Sequence, residues 1–306
     1  MDRSGRFRRI LSAARRASGA RLSARGFALI LVLWVLMFLS IIAVTLIHQT
    51  QEDARFERAM VEDAKAEALA EAGVVQAMAA LSNPESDWLA DGMAHQIRLG
   101  EGVVTVRIYD ETGRIDLNLG DDAMLVSMLQ STGVALEKAQ RLAAAIEDYR
   151  DPDDIKRPGG AEAADYAAAK LDHGPKNAPF ELPEELAQVM GITPEILWAV
   201  YPLVTVYSPH KEVNLAAASD AVLRALPNMD SRRMEQARLL RDAHVPSRPP
   251  VVTVIATADT AGGGHFIRQA TLRRTAAPGR PFEVLSWRRT WPEEGLREPV
   301  TSTPMR

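Results

Sequence analysis

Six carboxylates crowd together in the middle of the chain, and they are the residues best suited to bind a metal: Asp148, Asp151, Asp153, Asp154, Glu162 and Asp165. Carboxylates at this density repel one another unless water or a cation separates them. Oxygen ligands on a loop rich in Gly and Pro suit calcium, although the spacing is not that of an EF-hand. The residues alone leave two interpretations open, a solvated acidic loop or a calcium site.

Catalysis finds little support in the sequence. There is no G-x-S-x-G motif, and the six histidines show neither H-E-x-x-H nor another ligand spacing. The chain also has no Cys, which excludes disulfides, zinc–thiolate sites and thiol nucleophiles. We therefore expect a protein that is not an enzyme.

A second feature is the boundary at Arg25-Gly26-Phe27 between a basic leader and an apolar run. Eight arginines and one acid precede Phe27, whereas the 21 residues 27–47 are apolar and uncharged. At about 1.5 Å per residue this run spans roughly 31 Å, the thickness of the hydrocarbon core of a bilayer. The run predicts a transmembrane helix, and the basic leader should keep the N-terminus in the cytoplasm and the bulk of the chain outside.

The charge distribution limits the kinds of partner. The whole chain has a formal net charge of −4 although its first 26 residues are strongly basic, so the part beyond the leader is acidic. An acidic domain is a poor match for nucleic acid, and we expect no nucleic-acid partner. The length suffices for one or two compact domains after the membrane helix.

The membrane helix should continue to about residue 81, because good helix formers dominate residues 49–81 and Ser82-Asn83-Pro84 then ends the helix. Ala64, Ala68, Ala72 and Val75 recur along it at helical spacing. Such small residues let a partner helix approach closely, so they are the predicted partner-helix packing site.

The sequence after this helix predicts strands at both ends and helices between them. Residues 101–109 and 114–118 predict a hairpin, 203–207 and 211–215 predict short strands, and 251–258, 266–275 and 282–290 predict three antiparallel strands that complete the sheet. The sequence between 119 and 200 predicts helices, including a short one at 161–171, and a second helical hairpin follows residue 212.

The motifs then resemble a known family. The basic leader, Gly26 and the apolar helix are similar to a type IV prepilin leader. Most pilins carry Glu at the fifth mature position, where this chain has Leu31. The K-class minor pseudopilins (GspK) of type II secretion systems also lack that Glu. The runs RGFALILVLWVL, DETGRIDLN, YRDPDD…RPGGAE…Y, GPKNAPF with ELPEELAQVMGITPE, and LVTVYS with VNLAAAS extend the resemblance over nearly the whole chain.

The resemblance implies an α+β fold, in which a pilin-like long N-terminal helix packs on a small antiparallel sheet that carries a large α-helical insertion. The corresponding organisation is a leader (1–26), a transmembrane helix (27–47), the pilin-like helix and first hairpin (48–118), the insertion (119–205), the second helical hairpin with the C-terminal strands of the pilin-like domain (206–291), and a tail (292–306).

The resemblance also implies a structural role. Prepilin peptidase would cut after Gly26 and leave a methylated Phe27. The protein would sit in the inner membrane with its bulk in the periplasm, and after assembly at the pseudopilus tip, in complex with the I- and J-class minor pseudopilins and alongside the H class and the major pseudopilin. The implied calcium site would draw its ligands from Asp151, Asp153, Asp154, Glu162 and Asp165. The alternatives are a subunit of a type IV pilus or DNA-uptake machine, and a signal-anchored periplasmic calcium-binding module.

Overall fold

A computed structural model describes residues 5–243, 248–277 and 279–290; side chains are described from residue 27 onward, except 28 and 46–54. The chain divides into two compact units, Met1–Val61 and Glu62–Arg306. Helix α1 (Gly5–Ser82) forms the described part of the first unit and continues into the second. Its end at Ser82 agrees with the predicted stop.

In the first unit, the described side chains of residues 27–45 are exposed. Over the described residues, no helix combines the length and the hydropathy of a membrane span. The predicted span 27–47 reaches into residues whose side chains lie outside the described part, and it stays a prediction. The leader side chains of residues 1–26 and the tail 292–306 also lie outside the described residues.

The second unit mixes strands and helices. Its strands are β1 (His95–Leu99), β2 (Gly102–Asp110), β3 (Ile115–Asp116), β4 (Val204–Thr205), β5 (Val251–Thr260), β6 (His265–Arg274) and β7 (Phe282–Arg289). Its further helices are α2 (Asp122–Ser131), α3 (Leu136–Arg150), α4 (Ala163–Ala168), α5 (Pro194–Val200), α6 (Asp220–Ala225) and α7 (Ser231–Asp242). The α+β class with a long first helix is confirmed.

The main sheet has five antiparallel strands in the order β1-β2-β5-β6-β7. Residues two apart on a strand face the same side, and Val104, Val106 and Ile108 of β2 are all buried on the side that faces α1. The facing side of α1 is made of Ala66, Ala70, Val74 and Ala77, together with Gly73. A Cβ on Gly73 would lie 2.7 Å from Val104 Cγ1, so Gly73 permits close approach of the helix to the sheet.

The turn between β5 and β6 holds α1 at Glu62. Thr260 Oγ1 donates a hydrogen bond of 2.6 Å to Glu62 Oε2. Gly264 lies against the helix backbone, because a Cβ there would be 2.2 Å from the Glu62 carbonyl oxygen. Gly264 therefore fits against α1 only without a side chain.

The helices between β3 and β5 share a separate apolar core, which includes Leu125, Met128, Ile146 and Leu223. Leu223 belongs to α6, and Ala237 of α7 is buried in the same core. The helical region therefore extends to the end of α7, beyond residue 205, and the second helical hairpin belongs with it rather than with the strands.

One predicted hairpin and one predicted strand are wrong. Residues 114–118 do not pair back onto β2: the Asp110 side chain accepts a hydrogen bond from Thr112 N and caps a 3₁₀ turn, after which β3 pairs in parallel with β4 in a separate sheet. Residues 211–215 form no strand, because the Asn214 side chain accepts from Ala216 N and turns the chain there. Strand β1 was missed, and it is the hairpin partner of β2.

The helical region occupies the connection between two neighbouring strands. β2 ends at Asp110, and Asp110 lies directly opposite Val252 near the start of β5. Both ends of the inserted helical region therefore meet at one point on the sheet.

Candidate metal centre and assembly surface

The acidic loop begins where α3 ends and folds back onto that helix. Apolar side chains such as Ile146 fix α3 in the helical core. Asn177 N donates a hydrogen bond of 2.9 Å to the carbonyl of Tyr149, and Phe180 stacks on the Tyr149 ring with centroids 4.9 Å apart. The loop between them is thus closed at both ends on the last turn of α3.

Asp148 is the innermost carboxylate of this loop, with no exposed surface. It accepts hydrogen bonds from the backbone N–H of Arg157. A Cβ on Gly160 would lie 2.1 Å from Asp148 Oδ2, so the glycine makes room for the carboxylate. Burial raises the pKa of Asp148, and the hydrogen bond from Arg157 opposes that shift.

Glu162 carries the most direct sign of a missing ligand. The residue is only 6% exposed, and both of its carboxylate oxygens are buried without a hydrogen-bond partner. Burial raises the pKa of Glu162, and the neighbouring carboxylates, Asp148 first among them, raise it further. A cation at this position would offset the effects of both burial and the neighbouring charges.

Two more buried oxygens in the loop lack partners, Asp151 Oδ1 and Asn177 Oδ1. Carboxylate and amide oxygens are the donors that calcium prefers. These unpartnered oxygens, together with Glu162, fit a hard cation. Among the described side chains, however, no three His, Cys, Asp or Glu residues are already gathered around one point as metal ligands.

The other predicted ligands are engaged within the protein. Asp153 Oδ1 accepts from Ile155 N at 2.8 Å, and Asp154 Oδ1 accepts from Asn177 Nδ2 at 2.8 Å. Asp165 accepts from Lys156 Nζ at 2.6 Å and from Glu162 N at 3.0 Å. Among the predicted ligands, Glu162 and Asp151 therefore have unpartnered oxygens. The other three, Asp153, Asp154 and Asp165, accept hydrogen bonds within the protein.

Sequence reasoning missed Asn177 and Arg157. Arg157 lies among Glu147, Asp148 and Asp151 and contacts all three carboxylates. Its position directly after the acidic run was a usable signal. Asn177 lies far along the chain from Asp151, and only its place in the quoted GPKNAPF run pointed to it.

The predicted partner-helix residues lie on the free side of α1. Ala64, Ala68, Ala72 and Val75 are all exposed, with Val75 60% exposed. The buried side of the helix uses Ala66, Ala70, Val74 and Ala77. The exposed small residues are therefore available to a partner, and their role stays a prediction.

The processing residues can be placed only in part. Phe27 is 70% exposed, and Leu31, at the position of the usual pilin Glu, is also exposed. Gly26 is helical, but its surroundings lie outside the described part. Cleavage after Gly26 stays a prediction.

A buried polar junction ties the sheet to the helical region. Thr205 Oγ1 donates to Glu111 Oε2, and Asp116 Oδ2 accepts from Ser208 N at 3.0 Å. Burial raises the pKa of Asp116 to about 6, against three backbone N–H groups and Arg150 that lower it. The run DETGRIDLN therefore fixes the entry of the chain into the helical region.

Comparisons with known proteins agree with this anatomy. Residues 116–210 match the family model described as type II secretion system (T2SS), protein K. The fold is similar to a chain in the crystal structure of the GspK-GspI-GspJ complex from the type 2 secretion system of enterotoxigenic Escherichia coli. The TM-score is 0.55 at 16% identity, over 80% of this chain and 100% of that chain. No curated protein sequence matches the chain.

The sheet, the long first helix and the helical region share the fold of that chain, and residues 116–210 match the T2SS protein K model. Both findings support the predicted resemblance to the K-class minor pseudopilins.

Proposed function

We propose that this protein is a minor pseudopilin of a type II secretion system, a non-enzymatic subunit that caps the tip of the periplasmic pseudopilus and assembles there with I- and J-class minor pseudopilins. The observation that carries the proposal is the helical region inserted between β2 and β5. A shaft subunit must accept neighbours above and below it at close axial spacing. A head enlarged by this region is hard to accommodate in a shaft, whereas at the tip no subunit follows.

Leu31 supports the same position. The amine of a processed N-terminus is a charge in lipid, which is costly unless a carboxylate of a neighbouring subunit pairs with it. The topmost subunit has no subunit above it whose amine needs neutralising. Leu31 in place of the usual Glu is then tolerated.

The proposal includes processing after Gly26, anchoring by residues 27–47 in the inner membrane, and contact with the H-class and major pseudopilins below.

The exposed side of α1 is the proposed docking surface for the partner helices. A bulky residue there should block close approach, so Ala68→Trp should weaken co-purification with the I- and J-class subunits while the melting temperature stays unchanged. The matched control is Ala168→Trp, at an exposed alanine of α4. If Ala68→Trp co-purifies with the I- and J-class subunits as well as the wild type does, the exposed side of α1 is not part of the interface.

The tip position has its own test, a cryo-EM or cross-linking map of assembled pseudopili. We expect this subunit once, at the end of each filament. A map in which it repeats along the shaft, with the helical region accommodated between neighbours, would overturn the capping role whatever the interface variants show.

We further propose that the acidic loop binds calcium through Glu162, Asp151 and Asn177. Bound calcium would supply positive charge to these unpartnered oxygens and join the loop to the end of α3. Binding to the folded state alone should raise the melting temperature, by an amount equivalent to about 2.7 kcal/mol at a calcium concentration of 100 Kd.

The experiment is a thermal melt of the full-length protein in detergent, with calcium or with chelator. Glu162→Gln should abolish the calcium-dependent shift, because it removes the carboxylate charge at nearly constant shape. The double change Asp153→Ala and Asp154→Ala tests the ligands expected from sequence, and it should reduce the shift less than Glu162→Gln. If the melting temperature of the wild type does not change with millimolar calcium, the loop is solvated and binds no calcium.

A further inference from the structure

Arg157 places a positive charge inside the acidic loop. Its Nη1 lies 3.2 Å from Glu147 Oε2, its Nη2 lies 3.4 Å from Asp151 Oδ2, and its Nε lies 3.7 Å from Asp148 Oδ1. One guanidinium thus faces three carboxylates. Its backbone N–H is also bonded to Asp148, which fixes its position along the loop.

Asp151 is shared between this guanidinium and the unpartnered oxygens. Its Oδ2 faces Arg157, whereas its Oδ1 is buried without a partner, as are both oxygens of Glu162 and the amide oxygen of Asn177. A cation that satisfied these oxygens would therefore lie on the other side of the same carboxylate from Arg157. Two positive charges would then compete for one negative charge.

We propose that Arg157 is a built-in counter-cation that lowers the calcium affinity of this loop and holds its carboxylates together when calcium is absent. The inference rests on the proposed calcium site. The Arg157 guanidinium and a calcium ion bound to the same carboxylate repel each other even where solvent screens them. The repulsion is twice as large for a divalent ion as for a monovalent one. Arg157 thereby sets the calcium concentration at which the loop fills.

A purely structural role for Arg157 predicts the opposite effect on affinity. Its side chain is 47% exposed, so these ion pairs contribute little to folding by themselves. If Arg157 only organised the ligands, its removal would disorder the loop and weaken calcium binding. The sign of the change in affinity therefore separates the two roles.

Isothermal titration calorimetry of the full-length protein in detergent with calcium chloride tests the inference. We expect Arg157→Gln to bind calcium about tenfold more tightly than the wild type, because a screened unit charge beside the ion is removed. In chelator the same variant should melt only slightly below the wild type, because the Arg157 side chain is 47% exposed. The control is Lys138→Gln, which makes the same change in charge near the far end of α3 and should alter neither quantity.

The outcomes are distinguishable. Calcium binding by the wild type with equal or weaker binding by Arg157→Gln overturns the role of Arg157 and leaves the calcium site standing. No binding by either protein overturns both. If only Arg157→Gln binds calcium, Arg157 prevents calcium binding in the wild type, and the proposal is supported.

A second variant covers a failure of Arg157→Gln to fold, which the melt in chelator reveals. Arg157→Lys keeps the charge on a compact ammonium that reaches fewer of the three carboxylates, so an affinity about two- to threefold tighter than wild type is expected. Unchanged or weaker binding by that variant counts against the proposal in the same way.

Discussion

The buried Asp116 makes the stability of this protein depend on pH in a defined direction. Asp116 is 1% exposed, and burial raises its pKa from 3.8 to about 6. In the unfolded chain the carboxyl returns to its ordinary value. The folded state therefore carries an ionised, desolvated carboxylate at neutral pH, and protonation relieves that cost as the pH falls through 6.

The size of the effect follows from linkage. With a folded pKa of about 6 and an unfolded value of 3.8, lowering the pH from about 7 to about 5 should add roughly 1.3 kcal/mol to the free energy of unfolding from this group alone. The gain should continue to grow until the pH falls below 3.8, where the unfolded chain is also protonated.

The assay is urea unfolding of the wild type and Asp116→Asn, followed by circular dichroism across this pH range. Other buried carboxyls, such as Asp110, also have a raised pKa, so only the difference between the two proteins isolates Asp116. The variant loses the acceptor for Ser208 N, which lowers its stability but adds no dependence on pH.

The free-energy advantage of the wild type over Asp116→Asn should widen as the pH falls toward 5. Asp87→Asn is the control, because its carboxyl is exposed in the folded chain and its difference from wild type should stay flat. A wild-type advantage that is constant with pH, or that shrinks on acidification, would refute the reasoning.

Three further predictions concern the fold and the processing site. Gly264→Ala should cost about 1–3 kcal/mol, since the new Cβ would lie 2.2 Å from the Glu62 carbonyl, whereas Gly174→Ala, where the nearest atom is 3.9 Å away, should be nearly neutral in a thermal melt. Leu223→Ala should cost about 2–5 kcal/mol in urea unfolding, because that side chain is fully buried; a neutral result would detach α6 from the helical core. Gly26→Arg should block prepilin peptidase, and intact-mass spectrometry of protein co-expressed with the peptidase should show Met1 retained only in the variant.

Sequence periodicity predicted the parts of the fold in which one residue type repeats. Alternation in residues 251–258 marked β5, and the Ala-rich run up to Ser82 marked the end of α1. Strand β1 was missed because His95–Leu99 is a short edge strand of mixed polarity that is only half buried. The hairpin at 101–118 was wrong because the turn at Glu111 is decided by distant partners, Thr205 and Ala217, which periodicity does not report.

The candidate metal site shows the same limit. Charge density drew attention to Asp153 and Asp154, but in the folded chain these carboxylates accept hydrogen bonds from Ile155 and Asn177. What distinguishes Glu162 is burial without a partner, a property of the folded loop and not of its composition. Asn177 reaches the loop only because residues 178–180 pack back against α3 through the Phe180 ring.

The pairing of Asp110 with Val252 has a consequence for how the chain folds. The central pair of strands joins segments separated by roughly 140 residues, and closing so long a connection as a flexible chain carries a large entropic cost. If the helical region forms first, it brings its own two ends together, and β2 and β5 can then pair without closing a long flexible loop. The order of synthesis favours this route, because β5 leaves the ribosome after the helices. By the same reasoning, a change in the length of this region should leave the strand pairing on either side unchanged, because the two ends of the region coincide.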